Sequence, residues 1–320
     1  MAKIGLIDVD GGKFPNLALM RLSAWHKSQG DDVGWWWGWD HYDRVYMSKV
    51  FSAGYSPDAD EPVNADEIVK GGSGYAIALK NGVEVYDKSK DPPLPKGAEE
   101  MAPDYSIYPQ YDFAVSMTSR GCPRGCGFCH VAAKEGQKSV KVADVGLFWR
   151  GQKMIVSLDP NITACRDKRE LFRQYKETHA MINFSQGLDI RLLNDEDIHD
   201  LNGMRLHALH FAWDNPEDDL TKQFQAFAEK TTTQLHGKKG MVYCLTNYGE
   251  KTEAEHLEQV LFRIYKLREM GFDPFVMVYD KPNAPRKLLD VQRWCNNKIV
   301  FGKVQNFEEY SSTKEHRGYK

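Results

Sequence analysis

Residues 119–130 read Ser119-Arg120-Gly121-Cys122-Pro123-Arg124-Gly125-Cys126-Gly127-Phe128-Cys129-His130. Three cysteines stand at the spacing C-x3-C-x2-C, directly after Phe113–Thr118, an apolar run that predicts a strand. A flexible Gly/Pro loop lets three thiolates converge on one cluster. Thiolate sulfur is the usual ligand of iron–sulfur clusters, which normally take four ligands, so three protein ligands leave one iron open. Zinc is the competing metal. Structural zinc also takes four ligands, usually as paired C-x2-C or with a histidine at fixed spacing. His130 directly follows Cys129, too close to be an obvious fourth ligand.

The rest of the composition sets bounds on this motif. Of 320 residues, 42% are hydrophobic and 27% charged, the balance of a chain able to bury one large core or two. No run of 18 uncharged apolar residues occurs, so no membrane span is expected. Met1-Ala2-Lys3-Ile4 meets Asp8 and Asp10 at once and has no apolar signal core, so a cytoplasmic protein is expected. Six cysteines could form three disulfides. A reducing cytosol would not keep them, and the tight trio points to a metal instead. Cys165, Cys244 and Cys295 are scattered and read as idle, Cys244 lying inside a predicted strand, where a free cysteine is most often a small buried hydrophobe.

Charge is uneven. Residues 1–110 carry 11 Lys+Arg against 17 Asp+Glu, and residues 111–320 carry 31 against 28. Neither part has the basic excess of a protein that lives on a phosphate backbone.

The first part alternates strand and helix. Lys3–Val9, Val33–Trp37 and Arg44–Phe51 read as strands, and Asn16–Gly30 as a helix stopped by Gly30. Gly71-Gly72-Ser73-Gly74 reads as a flexible turn, and Asn81-Gly82 as the turn of a hairpin. Residues 87–110 hold five prolines, a linker or wrapping segment. The expected division is therefore 1–86 as a small α/β domain, 87–110 as Pro-rich linker, and 111–320 as the larger domain. There, candidate strands are Phe113–Thr118, Lys153–Leu158, Ala180–Phe184, Ala208–Trp213, Met241–Leu245, Pro274–Tyr279 and Lys298–Phe301. Thr252–Gly271 is the best helix, with Thr252 and Glu255 as a capping box. Strand and helix repeated about six times imply a parallel sheet or a β/α barrel, whose active residues gather at the carboxyl ends of strands.

On Cys122, Cys126, Phe128 and Cys129, in the context Arg-Gly-Cys-Pro, the sequence resembles the radical S-adenosylmethionine (SAM) superfamily. The resemblance implies an α/β fold: a partial (β/α)6-like barrel preceded here by a small open, Rossmann-like α/β domain. It implies that the three cysteines hold a [4Fe–4S] cluster whose open iron is chelated by SAM. Reductive cleavage of SAM then gives a 5′-deoxyadenosyl radical that abstracts hydrogen from a substrate, here unidentified. It implies an electron donor such as flavodoxin or ferredoxin. Phe128 should pack near the adenine. The family's Gly-Gly-Glu motif is absent after the second strand, so Asp159 and Asn161 are the substitutes expected for the SAM amino group. Gln186 and Arg191 follow the third strand and Asp214 the fourth, as further SAM contacts. Each of them has a plainer reading as a turn or structural hydrogen-bonding residue.

Residues 1–86 more weakly resemble the cobalamin-binding domain that precedes many such barrels, through KIGLIDV, RVYMSKVFS and the Gly71–Gly74 loop. The Asp-x-His-x-x-Gly motif is replaced by Asp8-Val9-Asp10-Gly11-Gly12, so cobalamin is an open but less favoured cofactor. Two alternatives stand beside the radical enzyme: a cobalamin-dependent methyltransferase, and a non-catalytic, metal-stabilised binding module. Four tryptophans in Trp35-Trp36-Trp37-Gly38-Trp39 cannot all face one core if the segment is a strand. An interface with the larger domain is the preferred reading.

Overall fold

The computed structural model describes residues 1–80, 83–237 and 239–310. The chain divides into two compact units, Met1–Ala180 and Met181–Lys320.

The first unit begins with β1 (Lys3–Asp8), α1 (Leu17–Ser28), β2 (Asp32–Trp35), β3 (Tyr42–Ser48) and β4 (Ala65–Gly71). These strands form a wholly parallel sheet in the order β2-β1-β3-β4. Asn16 caps α1, its side chain accepting from the Leu19 amide at 3.2 Å. Ile4 and Leu6 of β1 are fully buried against Leu19, Met20 and Leu22 of α1. Each such side chain contributes roughly 1.5–3 kcal/mol. β4 escapes the sequence reading because it lies at the sheet edge, half-buried and carrying exposed Asp66 and Glu67.

Next come α2 (Ser73–Ala76), β5 (Ile77–Lys80) and β6 (Val83–Tyr86). β5 and β6 pair antiparallel, as the predicted hairpin requires. Its Asn81-Gly82 turn lies outside the described residues. The Gly71–Gly74 stretch is not a free turn. Gly72 has φ +101°, and a Cβ on it would stand 2.3 Å from the Lys49 carbonyl oxygen. One on Gly74 would stand 2.4 Å from that of Phe51. These glycines serve close backbone approach, and α2 starts there. The Pro-rich segment wraps: Ile107 and Tyr108 are buried, and Asp104 accepts from Ser23 and Lys27 of α1.

The unit ends with β7 (Ala114–Ser116), β8 (Ser119–Arg120), α3 (Val131–Glu135), β9 (Val140–Lys141), α4 (Val145–Phe148), β10 (Met154–Ser157) and α5 (Lys168–Glu177). β7 and β10 are parallel neighbours, and β8 pairs antiparallel with β9.

The second unit holds β11 (Met181–Leu188), α6 (Asp195–Asn202), β12 (Arg205–Ala212), α7 (Thr221–Lys230), β13 (Gly240–Thr246), α8 (Glu253–Glu269), β14 (Asp273–Val278), α9 (Arg286–Asn296) and α10 (Lys298–Lys303). Its four strands are parallel, each beside the next in sequence. Six of the predicted strands after residue 111 are thus present, two in the first unit and four in the second. Phe211, Phe224, Phe227 and Phe272 pack edge-on in the second core. Thr252 and Glu255 make the predicted capping box of α8.

One strand is corrected. Lys298–Phe301 is helical, because Asn297 accepts from the amides of Ile299 and Val300 and Phe301 turns inward onto Trp294, 5.0 Å between ring centres. A four-residue apolar run does not distinguish strand from helix, and the capping asparagine decides. Among the described residues no helix is long and apolar enough to cross a membrane.

Candidate metal and cofactor site

The cysteine loop leaves the carboxyl end of β7 through the short strand β8 and re-enters regular structure at α3. Its entrance is tight. Gly121 has φ +86°, and a Cβ there would stand 2.1 Å from the Lys138 carbonyl oxygen. The Cys122 amide donates to Gly136 O at 3.1 Å and the Gly121 amide to Glu135 Oε2 at 3.2 Å. Beyond Gly125 (φ +57°) the Cys129 amide closes a turn on Cys126 O at 3.0 Å. His130 turns away, its Nε2 3.0 Å from Glu84 Oε2 on β6. Cys122, Cys126 and Phe128 are half-buried, and Cys129 is exposed.

Among the described residues, no group of three or more His, Cys, Asp or Glu side chains is gathered to hold a metal ion. A cubane cluster does not ask for that, since each thiolate takes its own iron. The donor set fits such a cluster: three sulfurs within eight residues, on a loop whose entry is fixed and whose sulfurs remain reachable. A further polar group already faces one of them, the Asn161 amide, whose Nδ2 lies 3.4 Å from Cys122 Sγ.

The loop after β10 supplies this contact. Asp159 is 3% exposed and its carboxylate is fully occupied by the protein itself. Oδ1 accepts from Thr118 N (2.9 Å), Thr118 Oγ1 (2.8 Å), Ser119 Oγ (2.7 Å) and the Ser119 amide. Oδ2 accepts from Ser157 Oγ (2.6 Å) and Tyr175 Oη (3.3 Å). Complete burial beside this carboxylate pushes the Tyr175 phenol far up, so it stays a donor. Asp159 thus holds the backbone that enters the cysteine loop. Asn161, 4% exposed, accepts at Oδ1 from Ala164 N and Thr163 Oγ1. Those two donors fix the amide so that its N–H faces the sulfur. The sequence reading gives Thr118, Ser119 and Tyr175 no role at the site. The available clue is Ser157-Leu158-Asp159, whose polar residues two apart share one side of an extended chain.

Gln186, Arg191 and Asp214 belong to the second unit. Gln186 is exposed on β11, beside Gly187 (φ +123°), where the register with β12 shifts. Arg191 is ion-paired, Nε to Asp189 Oδ1 at 2.7 Å and Nη1 to Asp218 Oδ2 at 2.8 Å. Asp214 follows β12 and accepts from the Leu245 amide at 3.1 Å. Burial pushes its carboxyl up to about 6, against the nearby Arg263 guanidinium. Arg263 of α8 is 2% exposed. It donates to the carbonyls of Trp213 (2.6 Å), Asp214 (3.1 Å), Leu245 (2.9 Å) and Gln259 (3.0 Å), clamping the carboxyl ends of β12 and β13.

A second ligand-prone place lies in the first unit, at the carboxyl ends of β1 and β3, where the strand order reverses. It is crossed by the wrapping segment. Tyr108 Oη donates to Asp8 Oδ2 and Tyr111 Oη to Gly12 O, both at 2.6 Å. Asp10 Oδ2 accepts from the Val50 amide at 2.6 Å, while its buried Oδ1 has no partner. No histidine stands in the turn after β1. Of the tryptophans, Trp35 donates to Ile107 O at 3.1 Å and meets Tyr108 edge-on, Trp36 donates to Asn64, and Trp39 is 88% exposed.

The radical SAM methyltransferase TsrM from Kitasatospora setae, solved with cobalamin and a [4Fe–4S] cluster bound, is similar over 87% of this chain and 75% of its own, with TM-score 0.58 and 10% identity. With tryptophan substrate and the SAM analogue aza-SAM bound, the same enzyme is similar over 87% and 73%, with TM-score 0.57 and 10% identity. The chain shares the fold of these two structures. The matched share exceeds residues 111–320 alone, so the likeness to the methyltransferase reaches into the N-terminal segment. No protein-family model matches the chain, and no curated protein matches it in sequence.

Proposed function

We propose that this chain is a radical SAM enzyme with a [4Fe–4S] cluster on Cys122, Cys126 and Cys129. The C-x3-C-x2-C loop at the carboxyl end of a parallel strand, in a fold shared with such an enzyme, carries this reading. When bound, the cluster and SAM supply a one-electron cleavage that yields a 5′-deoxyadenosyl radical. The protein's part is to bind, orient and exclude water. Cys122, Cys126 and Cys129 would hold the cluster and would leave one iron for SAM. Phe128, half-buried and between Cys126 and Cys129 in sequence, is the candidate to pack near the adenine. Gln186 and Asp214 are the candidate polar contacts to SAM, and Arg191 is a weaker one because its guanidinium already serves two carboxylates. The strands after residue 111 then act as a partial (β/α)6-like barrel, with 1–86 as a covering α/β domain and 87–110 as the segment that joins them. A flavodoxin or ferredoxin in the cytoplasm would deliver the electron. Hydrogen abstraction from a substrate is the favoured outcome.

The test is direct. Reconstituted with iron and sulfide and reduced with dithionite, the wild-type chain should turn SAM into 5′-deoxyadenosine, and Cys126→Ala should not. Product from the variant at the wild-type rate overturns the reading. Zinc at one per chain in a colourless anaerobic preparation would instead favour the non-catalytic module.

The parallel β2-β1-β3-β4 sheet and the reach of the fold match into residues 1–110 favour a second reading, a cobalamin-dependent methyltransferase. Tyr108 and Tyr111 across the carboxyl end of β1, and the missing histidine, weigh against it. Corrinoid absorption retained after incubation with hydroxocobalamin and gel filtration would support it, and none retained would remove it.

A further inference from the structure

We propose that Asp159 and Asn161 are positioning residues that shape the cysteine loop and tune its cluster, rather than contacts to SAM. This rests on the cluster reading above. The two residues act at different points of the loop. Asp159 gathers four donors of Thr118 and Ser119 on one carboxylate oxygen, and its other oxygen is tied to Ser157 and Tyr175. Hydrogen bonds to an ionised carboxylate are about twice as strong as neutral ones. No lone pair remains aimed at a ligand, so the carboxylate is spent on the chain leading to Gly121, where no side chain would fit. Ser139 Oγ donates to the Asn161 carbonyl oxygen at 2.9 Å, which ties the same loop to the start of β9 on the far side of the cysteines.

Asn161 then reaches the ligand itself. Its N–H lies on Cys122 Sγ, at 3.4 Å. A donor on a ligating sulfur stabilises the extra negative charge of a reduced cluster and so raises its potential. The acceptor side of the same amide serves Ala164 N and Thr163 Oγ1. Asn161→Asp therefore keeps both of those hydrogen bonds and reverses only the group that faces the sulfur.

Two variants separate the roles. In Asp159→Asn the volume is kept and the charge is lost. Hydrogen exchange at the Thr118, Ser119 and Cys122 amides of the metal-free chain should quicken at least tenfold, and iron bound per chain on reconstitution should fall. In Asn161→Asp the cluster should load fully, but its midpoint potential in a dithionite titration read by electron paramagnetic resonance should move to a more negative value. Asn161→Gln, which keeps the donor, should restore part of that shift. Unchanged exchange in Asp159→Asn, or an unchanged potential in Asn161→Asp, overturns the proposal. Failure of the cluster reading is visible separately, because the wild-type chain would then take up no iron–sulfur cluster while the exchange measurement still reports on Asp159.

Discussion

Asp214 and Arg263 put two ionisable groups into the interior of the second unit with no direct carboxylate–guanidinium hydrogen bond between them. Arg263 is satisfied by four carbonyl oxygens, and burial lowers its affinity for its proton. Asp214 carries the larger consequence. Its folded carboxyl titrates near 6, against the usual 3.8 in the unfolded chain. Between those values the native chain keeps a proton that the unfolded chain has released, so stability falls as pH rises through that window. Above it the loss is complete, up to about 3 kcal/mol. Asp214→Asn keeps the oxygen that accepts from Leu245 and removes the titration. Urea midpoints of the variant should therefore change less than those of the wild type between about pH 4 and pH 7. An equal change in both would show that another group governs the window. At this scale the trio of cysteines stood out in the sequence because all three fall within eight residues at C-x3-C-x2-C spacing. The work of Asp159 was not, because Thr118 and Ser119, which it anchors, lie 41 and 40 positions upstream. Only the pairing of β7 with β10 brings them together.

Among the elements, the cysteine loop is defined by its two left-handed glycines, and they are not equivalent. Gly121 is both left-handed and jammed against the Lys138 carbonyl, whereas nothing lies within 4 Å of a Cβ on Gly125. Gly125→Ala should cost only the conformational strain, about 1–2 kcal/mol. Gly121→Ala adds a backbone clash, so its urea midpoint should fall further and its iron uptake should drop. Equal losses in the two variants would deny the special role of the loop entrance. Periodicity predicted α8 and its capping box in full, since a long amphipathic run with its own start signal needs no tertiary information. The short run Lys298–Phe301 lacked that length. Its helix depends on the neighbouring Asn297 and on a tryptophan ring from α9. The Gly71–Gly74 stretch failed as a flexible turn for the same reason: what constrains it is the backbone of Lys49 and Phe51, over 20 positions upstream.

Across the whole molecule the six thiols fall into two populations. Cys165, Cys244 and Cys295 are buried, and burial pushes the thiols of Cys244 and Cys295 up to about 12. Cys122, Cys126 and Cys129 are half-buried or exposed. Iodoacetamide applied to the native, metal-free chain should label the loop cysteines first, with Cys129 leading, and reach the other three only on unfolding. Mass spectrometry of timed samples checks this. Early labelling of Cys244 would contradict the packed second core. Most of the alternation of strands and helices was legible from hydrophobic runs, with edge strand β4 and the helical run Lys298–Phe301 as the exceptions. The closing of the β1 crevice was not, because the tyrosines that cross it come from a proline-rich segment without periodicity.

The carboxylate that anchors the entry of the cysteine loop is made after the loop is. Cys129 precedes Asp159 by 30 positions, and synthesis at 5–20 residues per second separates them by roughly 2–6 s. During that interval the three thiols leave the ribosome without the anchor that fixes their entry strand. For the proposed cluster, delivery of iron and sulfide to a correctly formed loop would therefore belong to the period after β10 has emerged and paired with β7. Cells that overproduce the chain faster than the proposed cluster is assembled would accumulate a folded protein with its loop cysteines open to oxidation.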